Sequence, residues 1–325
     1  MLPIRERERK HRSTQPQGIH NLTDLAILYE YPRWFQPLFA ALDARGVDWR
    51  AIHTDGLAFD PANFAPPARV VFNRIAMSSF LREPHHPIFY AQALLSHWER
   101  SGARVVNGAD VLALDGSKAR QLSLFASLGL AIPTTRVVHR PDDLADAAAT
   151  LRWPIVVKAN VGGSGAGIAR YDTAAELRAA VADGTVPDSI DRVLLAQEFV
   201  PVRGGRITRI ETLAGRFLYA IAVDGGGAFD LCPADACLVQ PGKPAVTIER
   251  VDAAPEWVEM AERVARATGL DVGGVELMVD DRDGTPRLFD FNAVSNFVAD
   301  PLDTLGFDPH ERLVDWLVQV IGEAA

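Results

Sequence analysis

The chain has 325 residues, of which 48% are apolar, with 33 Lys and Arg against 42 Asp and Glu for a formal net charge of −9. That length allows two or three domains, and the composition excludes wholesale disorder and a collagenous or low-complexity chain. No apolar run approaches the roughly 18 residues of a membrane span, and the acidic balance argues against nucleic acid as the main partner. Two cysteines, Cys232 and Cys237, exclude a disulfide framework and a four-thiolate zinc site.

Residues 1–20 carry charges with no apolar segment behind them, so they read as a solvated tail, and the chain as cytoplasmic. A strand is expected from Asp24 (LAILYE). A helix over Arg33–Arg45 follows, with Trp34, Leu38 and Leu42 at helical spacing and Gly46 at its end. VDWRAIHT and ARVVFNR read as strands, residues 88–101 as a helix and GARVVN as a fourth strand. This alternation predicts a mostly parallel α/β domain over 21–115. No GxGxxG turn follows its first strand, which weakens a dinucleotide reading.

A second domain is expected over 116–195. Ser117 is placed to N-cap a helix ending at Gly129. Then come the strand TTRVVH, a helix near 142–151, the strand WPIVVKA, a glycine-rich loop, the strand GIARY, and a helix opened by the capping pair Thr173 and Glu176. The third domain, 196–325, is richer in strands: GRITRIETLA, RFLYAIAV, VGGVELMVD and PRLFDFN. Its helices run from Pro255 to Gly269 and through a last segment with Leu313, Leu317 and Val320 on one face. The segment Asp224–Pro244, which holds both cysteines, reads as a long mobile loop.

Four features carry chemistry. In IVVKANVGGSGAGIARY a buried strand delivers Lys158 to its end, beside a loop whose glycines let backbone N–H groups approach phosphate oxygens. The competing reading is a flexible hairpin turn. Lys118, in the first turn of its helix, opposes the helix dipole, as a residue kept for an anion would. In VGGVELMVDDRDGTPRLFDFN, strand alternation turns Glu276 away from Val275 and Leu277, and puts Asp290 and Asn292 on a common face. Two carboxylates and a carboxamide form a hard-oxygen set suited to Mg2+, against the plain reading of a polar hairpin face. Finally AQEFV, residues 196–200, is a strand end whose backbone can meet an adenine edge.

Together, Lys118, Lys158, the glycine loop, the QEFV segment and the spaced Glu276, Asp290 and Asn292 resemble the ATP-grasp superfamily, and within it the RimK-type glutamate ligases and glutathione synthetases. The resemblance spans about residues 69–320. It implies an α/β (α+β) three-domain architecture with an N-terminal Rossmann-like parallel sheet, and ATP held between the other two domains. It implies a ligase in which a carboxylate is phosphorylated by ATP and an amine displaces the phosphate. By that resemblance Lys118, Lys158, Gly163, Ser164 and Gly165 contact phosphates, and Gln197, Glu198 and Val200 bind adenine. Glu276, Asp290 and Asn292 hold Mg2+, two ions in the family pattern, with Mn2+ as a substitute. Arg209 steadies the transferring group, or alternatively pairs with Glu211 on its own strand.

Departures from the pattern are the order Glu276 then Asp290, the segment N-A-V-S-N-F where the family has N-A-S-P-G, and Arg203-Gly204-Gly205 where a ribose-binding acid is usual. Glutamate specificity is therefore not carried over. Arg74, Ser295 and Asn296 are the substrate candidates. The partners implied are a small carboxylate and a small amine, with a homodimer compatible. An ATP-grasp kinase and a passive nucleotide-binding module are the rival classes.

Overall fold

The computed structural model describes residues 22–82, 84–163, 165–225 and 247–324. The expected tail 1–20, Ser164, Cys232, Cys237 and all but the first two residues of the loop Asp224–Pro244 lie outside the described residues.

The N-terminal unit comprises β1 (Thr23–Tyr29), α1 (Gln36–Ala44), β2 (Trp49–His53), β3 (Ala68–Arg74), α2 (Ile88–Arg100), β4 (Arg104–Val106) and α3 (Ala109–Asp115). Its strands form a parallel sheet in the order β2-β1-β3-β4. Both faces of such a sheet must be covered, and β1 and β3 are accordingly buried along nearly their whole length. Leu25 and Ile27 face α1, while Ala26 and Leu28 face Ile88, Leu94 and Trp98 of α2.

The middle unit comprises α4 (Lys118–Ser127), β5 (Thr135–Val138), α5 (Leu144–Ala148), β6 (Ile155–Ala159), β7 (Ile168–Tyr171), α6 (Ala174–Ala182) and β8 (Leu194–Glu198). Its antiparallel sheet runs β5-β8-β6-β7. Ile155, Val157, Leu194 and Ala196 pack with Leu144 and Leu177 into a core of their own. The expected boundary at 195/196 falls inside β8, which pairs with β6 and β5 as far as Glu198. Thr173 accepts a hydrogen bond from the Glu176 amide (3.2 Å), and the Glu176 carboxylate accepts from the Asp172 amide, one residue before the cap (2.9 Å).

The last unit comprises β9 (Val202–Leu213), β10 (Arg216–Asp224), β11 (Thr247–Arg250), α7 (Pro255–Thr268), β12 (Val272–Asp280), β13 (Pro286–Asn292), α8 (Pro301–Leu305) and α9 (Pro309–Glu323). Its antiparallel sheet runs β11-β10-β9-β12-β13. Leu313, Val314 and Leu317 of helix α9 join Leu25, Ile27, Val70 and Phe72 of the parallel sheet and Ile207, Tyr219 and Ile221 of the last sheet in one core. The N-terminal and C-terminal sheets therefore share a hydrophobic core. No helix among the described residues is long and apolar enough to cross a membrane.

Candidate active site

Three strands of the last sheet lay out a grid of polar side chains. Arg209 of β9 pairs with Glu276 of β12, and Glu276 with Asp290 of β13. In the next row, Glu211 pairs with Gly274 and Gly274 with Asn292. Directly paired residues share a sheet face, so Arg209, Glu211, Glu276, Asp290 and Asn292 project to one side. The Gly273-Gly274 pair allows this close packing. A Cβ on Gly273, at φ +156°, would fall on the Asn292 carbonyl oxygen, and one on Gly274 would meet the Ile210 carbonyl oxygen at 2.9 Å.

Arg209 donates through Nε to Glu211 Oε1 (2.6 Å) and through Nη1 to Glu276 Oε1 (3.2 Å). Both expected roles thus remain compatible: Arg209 pairs with Glu211, and the same guanidinium reaches the Glu276 carboxylate. Asn292 lies 3.4 Å from Glu276 Oε1 through its amide nitrogen. Burial raises the Glu276 pKa, with further repulsion from Asp290 and opposition from Arg209 and Lys118. Two carboxylates beside a carboxamide on one face form an oxygen-donor set that fits Mg2+, which keeps waters and shares phosphate oxygens. Among the described residues no cluster of three or more His, Cys, Asp or Glu forms a self-sufficient metal cage.

Both lysines reach this face from the opposite side. Lys118 Nζ lies 2.6 Å from Asp290 Oδ1, and this pairing raises its pKa although burial alone would lower it. Lys158 is 8% exposed, and its ammonium sits 5.6 Å above the Phe289 ring of β13. It has no ion-pair partner among the described residues, and burial, then repulsion from Lys118, holds its pKa down to about 8.

Asn160 ties the two lysines together. Its Oδ1 accepts from the Ala119 amide (2.8 Å), its carbonyl accepts from the Lys118 amide (3.2 Å), and Ser117 Oγ accepts from the Arg120 amide (3.3 Å). The first-turn N–H groups of α4 are therefore already satisfied, so an anion here meets the Lys118 side chain and not the helix terminus.

The glycine loop folds beside them. Gly165 and Gly167 adopt φ +70°, and a Cβ on Gly167 would meet Ala159 Cβ at 2.7 Å. Gly163 packs on Ser78 of the N-terminal unit, where an added Cβ would sit 2.9 Å from Ser78 Cβ.

At the hinge, Gln197 pairs with Val156 and thus shares a face with Lys158, toward the last sheet. It donates to Thr135 Oγ1 (2.9 Å). Glu198 pairs with Ile155 on the other face, where its carboxylate accepts from the Arg152 amide (3.0 Å). The Glu198 side chain is thus not brought to the lysines, and only its backbone remains on the hinge. Val200 is buried. Arg203, at the usual ribose position, pairs with Asp281 (3.1 Å).

Arg74, Ser295 and Asn296 do converge. Arg74 Nη2 donates to the Ser295 carbonyl and to Asn296 Oδ1 (3.0 Å). Ser295 Oγ donates in turn to Glu211 Oε1 (2.8 Å).

Asp115 and Asn107 escaped the sequence reading, and Glu211 entered it only as an alternative partner for Arg209. Asp115, at the end of α3, has its pKa raised to about 7 by burial, with Asp290 adding to the effect. Glu211 is 1% exposed and anchors Arg209 and Ser295. Asn107 is wholly buried at φ 51°. Its side chain donates to the Val272 (2.6 Å) and Ala293 (2.7 Å) carbonyls and accepts from the Asp271 (3.0 Å) and Val272 (3.3 Å) amides. It pins the end of the parallel sheet to the strands carrying Glu276 and Asn292. A polar residue directly after a strand was the only signal available for it.

A family model of the RimK-like ATP-grasp domain matches residues 115–317. A probable alpha-L-glutamate ligase of Enterobacter sp. (strain 638) is 27% identical over 235 residues, spanning 70% of this chain and 72% of its own. A ribosomal protein bS6–L-glutamate ligase of Shigella boydii serotype 4 (strain Sb227) is 28% identical over 235 residues, with the same coverage of 70% and 72%. Among solved structures, the ATP-grasp ligase PsnB complexed with minimal precursor superposes with a TM-score of 0.65 at 18% identity, covering 91% of this chain and 99% of that one. The VanG D-Ala:D-Ser ligase from Enterococcus faecalis gives 0.66 at 14% identity, covering 93% and 100%. At these identities the two structures speak for the fold alone.

Proposed function

The chain belongs to the RimK-like ATP-grasp family, and on that premise we propose that it is an ADP-forming ligase joining a small carboxylate to an amine through an acyl phosphate. One observation carries this reading. Lys118, Lys158 and Arg209 gather with Glu276, Asp290 and Asn292 where the middle unit meets the last sheet. Phosphoryl transfer asks a protein mainly for positioning and charge neutralisation, which this constellation offers.

In the proposed reaction a substrate carboxylate oxygen attacks the γ-phosphorus of ATP and ADP departs. The amine nitrogen then attacks the acyl carbon, and phosphate leaves with the former carboxylate oxygen. Lys118 and Lys158 hold the phosphates, and the backbone of Gly163 and Gly165 covers them. Gln197, together with the backbone of Glu198 and Val200, holds the adenine. Arg209, fixed by Glu211 and Glu276, presents its remaining N–H groups to the transferring phosphoryl and the developing oxyanion. Glu276, Asp290 and Asn292 would hold two Mg2+ ions, for which Mn2+ can substitute, and these supply charge neutralisation of the triphosphate when bound. Ser295 and Asn296, in a segment unlike that of the glutamate-specific pattern, line the acceptor side.

A relative's name mentions both a ribosomal protein and L-glutamate, so the acid or the amine can be a free amino acid or part of a polypeptide. Hydroxylamine trapping tests the reading. The full-length protein is incubated with MgATP, pooled carboxylic acids and hydroxylamine as a generic amine. Acid-dependent hydroxamate with stoichiometric ADP and phosphate is expected. ADP formed with a phosphorylated product and no free phosphate would make the protein a kinase instead.

A further inference from the structure

The two lysines proposed to hold the phosphates stand on elements packed into different cores. Lys158 lies near the end of β6, whose Ile155 and Val157 belong to the core of the middle unit. Lys118 opens α4, whose Leu122 and Phe125 pack with Leu288 and Phe291 of the last unit. A polyphosphate is sensitive to the separation of the two ammonium groups, because charge contacts weaken with distance and binding needs both at once. That separation is set where the two elements touch through polar groups, at Asn160, two residues beyond Lys158.

Asn160 is buried, and its carboxamide satisfies its neighbours in one orientation only. Oδ1 accepts from the Ala119 amide in the first turn of α4 (2.8 Å), and Nδ2 donates to Asp191 Oδ2 (2.6 Å). Turned over, the carboxamide would set its NH2 against the Ala119 N–H and its oxygen against the Asp191 carboxylate, two repulsive contacts in place of two hydrogen bonds. Ser117 Oγ reaches both Nδ2 (3.0 Å) and Oδ1 (3.2 Å) and does not discriminate. Asp191, an acceptor only when ionised, therefore selects the orientation that grips α4. The grip extends to the lysine itself: the Lys118 amide donates to the Asn160 carbonyl (3.2 Å), and a Cβ on Gly162 would meet Lys118 Cε at 3.6 Å.

Asp191 is itself firmly anchored. Its Oδ1 accepts from Ser189 Oγ (2.7 Å) and from the Val193 amide (3.1 Å), and Ser189 Oγ accepts in turn from the Val161 amide (3.2 Å). Ile190 and Val161, on either side of this network, pack into the core of the N-terminal unit. Arg192, the next residue, takes φ +62°, a left-handed conformation that a residue other than glycine keeps where its surroundings dictate it. Groups from all three units thus meet around one carboxylate. We propose that Asp191 is a positioning residue: by orienting Asn160 it fixes the separation of Lys118 and Lys158, and so sets the affinity for a polyphosphate group without touching the nucleotide.

This role rests on the reading of Lys118 and Lys158 as phosphate contacts, but its test requires no turnover. Binding of MgADP and of magnesium pyrophosphate to the full-length protein is measured by titration calorimetry, and binding of adenosine, which has no phosphate, by saturation-transfer NMR. Asp191→Asn keeps the shape but turns an NH2 toward either Asn160 Nδ2 or the Val193 amide. It should weaken MgADP and pyrophosphate by roughly tenfold to a hundredfold and leave adenosine within about twofold. Combining Asn160→Asp with Asp191→Asn reverses donor and acceptor: the carboxamide at position 191 donates to the carboxylate at position 160, which still accepts from Ala119. The reversed pair should recover most of the MgADP affinity. Wild-type MgADP affinity in Asp191→Asn, or adenosine binding lost in parallel with MgADP, would overturn the role of Asp191 and leave the phosphate reading intact. So would a reversed pair that does not fold or folds without MgADP affinity, and this arm decides if Asp191→Asn alone fails to fold. A wild-type protein that binds neither MgADP nor pyrophosphate would overturn the phosphate reading and the role of Asp191 with it.

Discussion

Replacing Lys158 with methionine should stabilise the protein while disabling it. Lys158 is 8% exposed, and burial, then repulsion from Lys118, brings its pKa from the ordinary 10.5 down to about 8. At about 1.4 kcal/mol for each tenfold change in proton affinity, the folded chain at neutral pH carries up to about 3 kcal/mol of destabilisation that a neutral side chain of similar length avoids. The pH dependence has a definite sign. Below about pH 8 the folded and unfolded chains both hold the proton, and the penalty is full. Between about 8 and 10.5 the folded chain releases it first, so the unfolded chain binds more protons and wild-type stability rises with pH. Urea denaturation of both proteins near pH 7 and near pH 10 should show the variant ahead by about 2–3 kcal/mol at the lower pH, with the gap narrowing at the higher. MgATP binding, measured alongside, should be lost. A variant no more stable than wild type near pH 7 would refute the reading of Lys158 as a buried charge held in place for a phosphate.

Three other substitutions probe the framework. Asn292→Ala should lower phosphate release at least about a hundredfold with an unchanged circular dichroism spectrum, since it deletes one of the three proposed oxygen ligands on a face already shaped by backbone pairing. Asn107→Ala would leave two buried carbonyls and two amides unpaired. Chemical denaturation should therefore show a loss of about 3 kcal/mol or more. Gly273→Ala would push its Cβ onto the Asn292 carbonyl and leave alanine at φ +156°. The expected result is a lower melting temperature together with weakened MgATP affinity, because the same strand carries Glu276 and the clash falls on Asn292, two of the proposed metal ligands.

What could be seen in the sequence was whatever a single segment encodes. Lys158 at the end of an apolar strand, Ser117 as a cap and the parity of Glu276, Asp290 and Asn292 all follow from local spacing, and the strands and helix N-terminus stand as those spacings imply. The same parity rule places Gln197 and Glu198 on opposite faces of β8, a signal that was present and outweighed by the family pattern. Partners across the chain were not legible. That α9 would cover the parallel sheet, or that β8 would pair with β6, depends on which apolar faces meet, and apolar periodicity marks a face without naming its neighbour. Glu211 and Asn107 matter through contacts spanning from 84 to 186 residues of sequence. The short elements α3, α8 and β11 hold too few residues for a period to show.

The most direct test of the central claim is phosphate release from MgATP by the purified full-length protein, with pooled carboxylic acids and pooled amines supplied separately and together. Release that requires both pools is the predicted result. Release indifferent to either pool, or ADP formation without free phosphate, would contradict the assignment of this site to carboxylate–amine ligation.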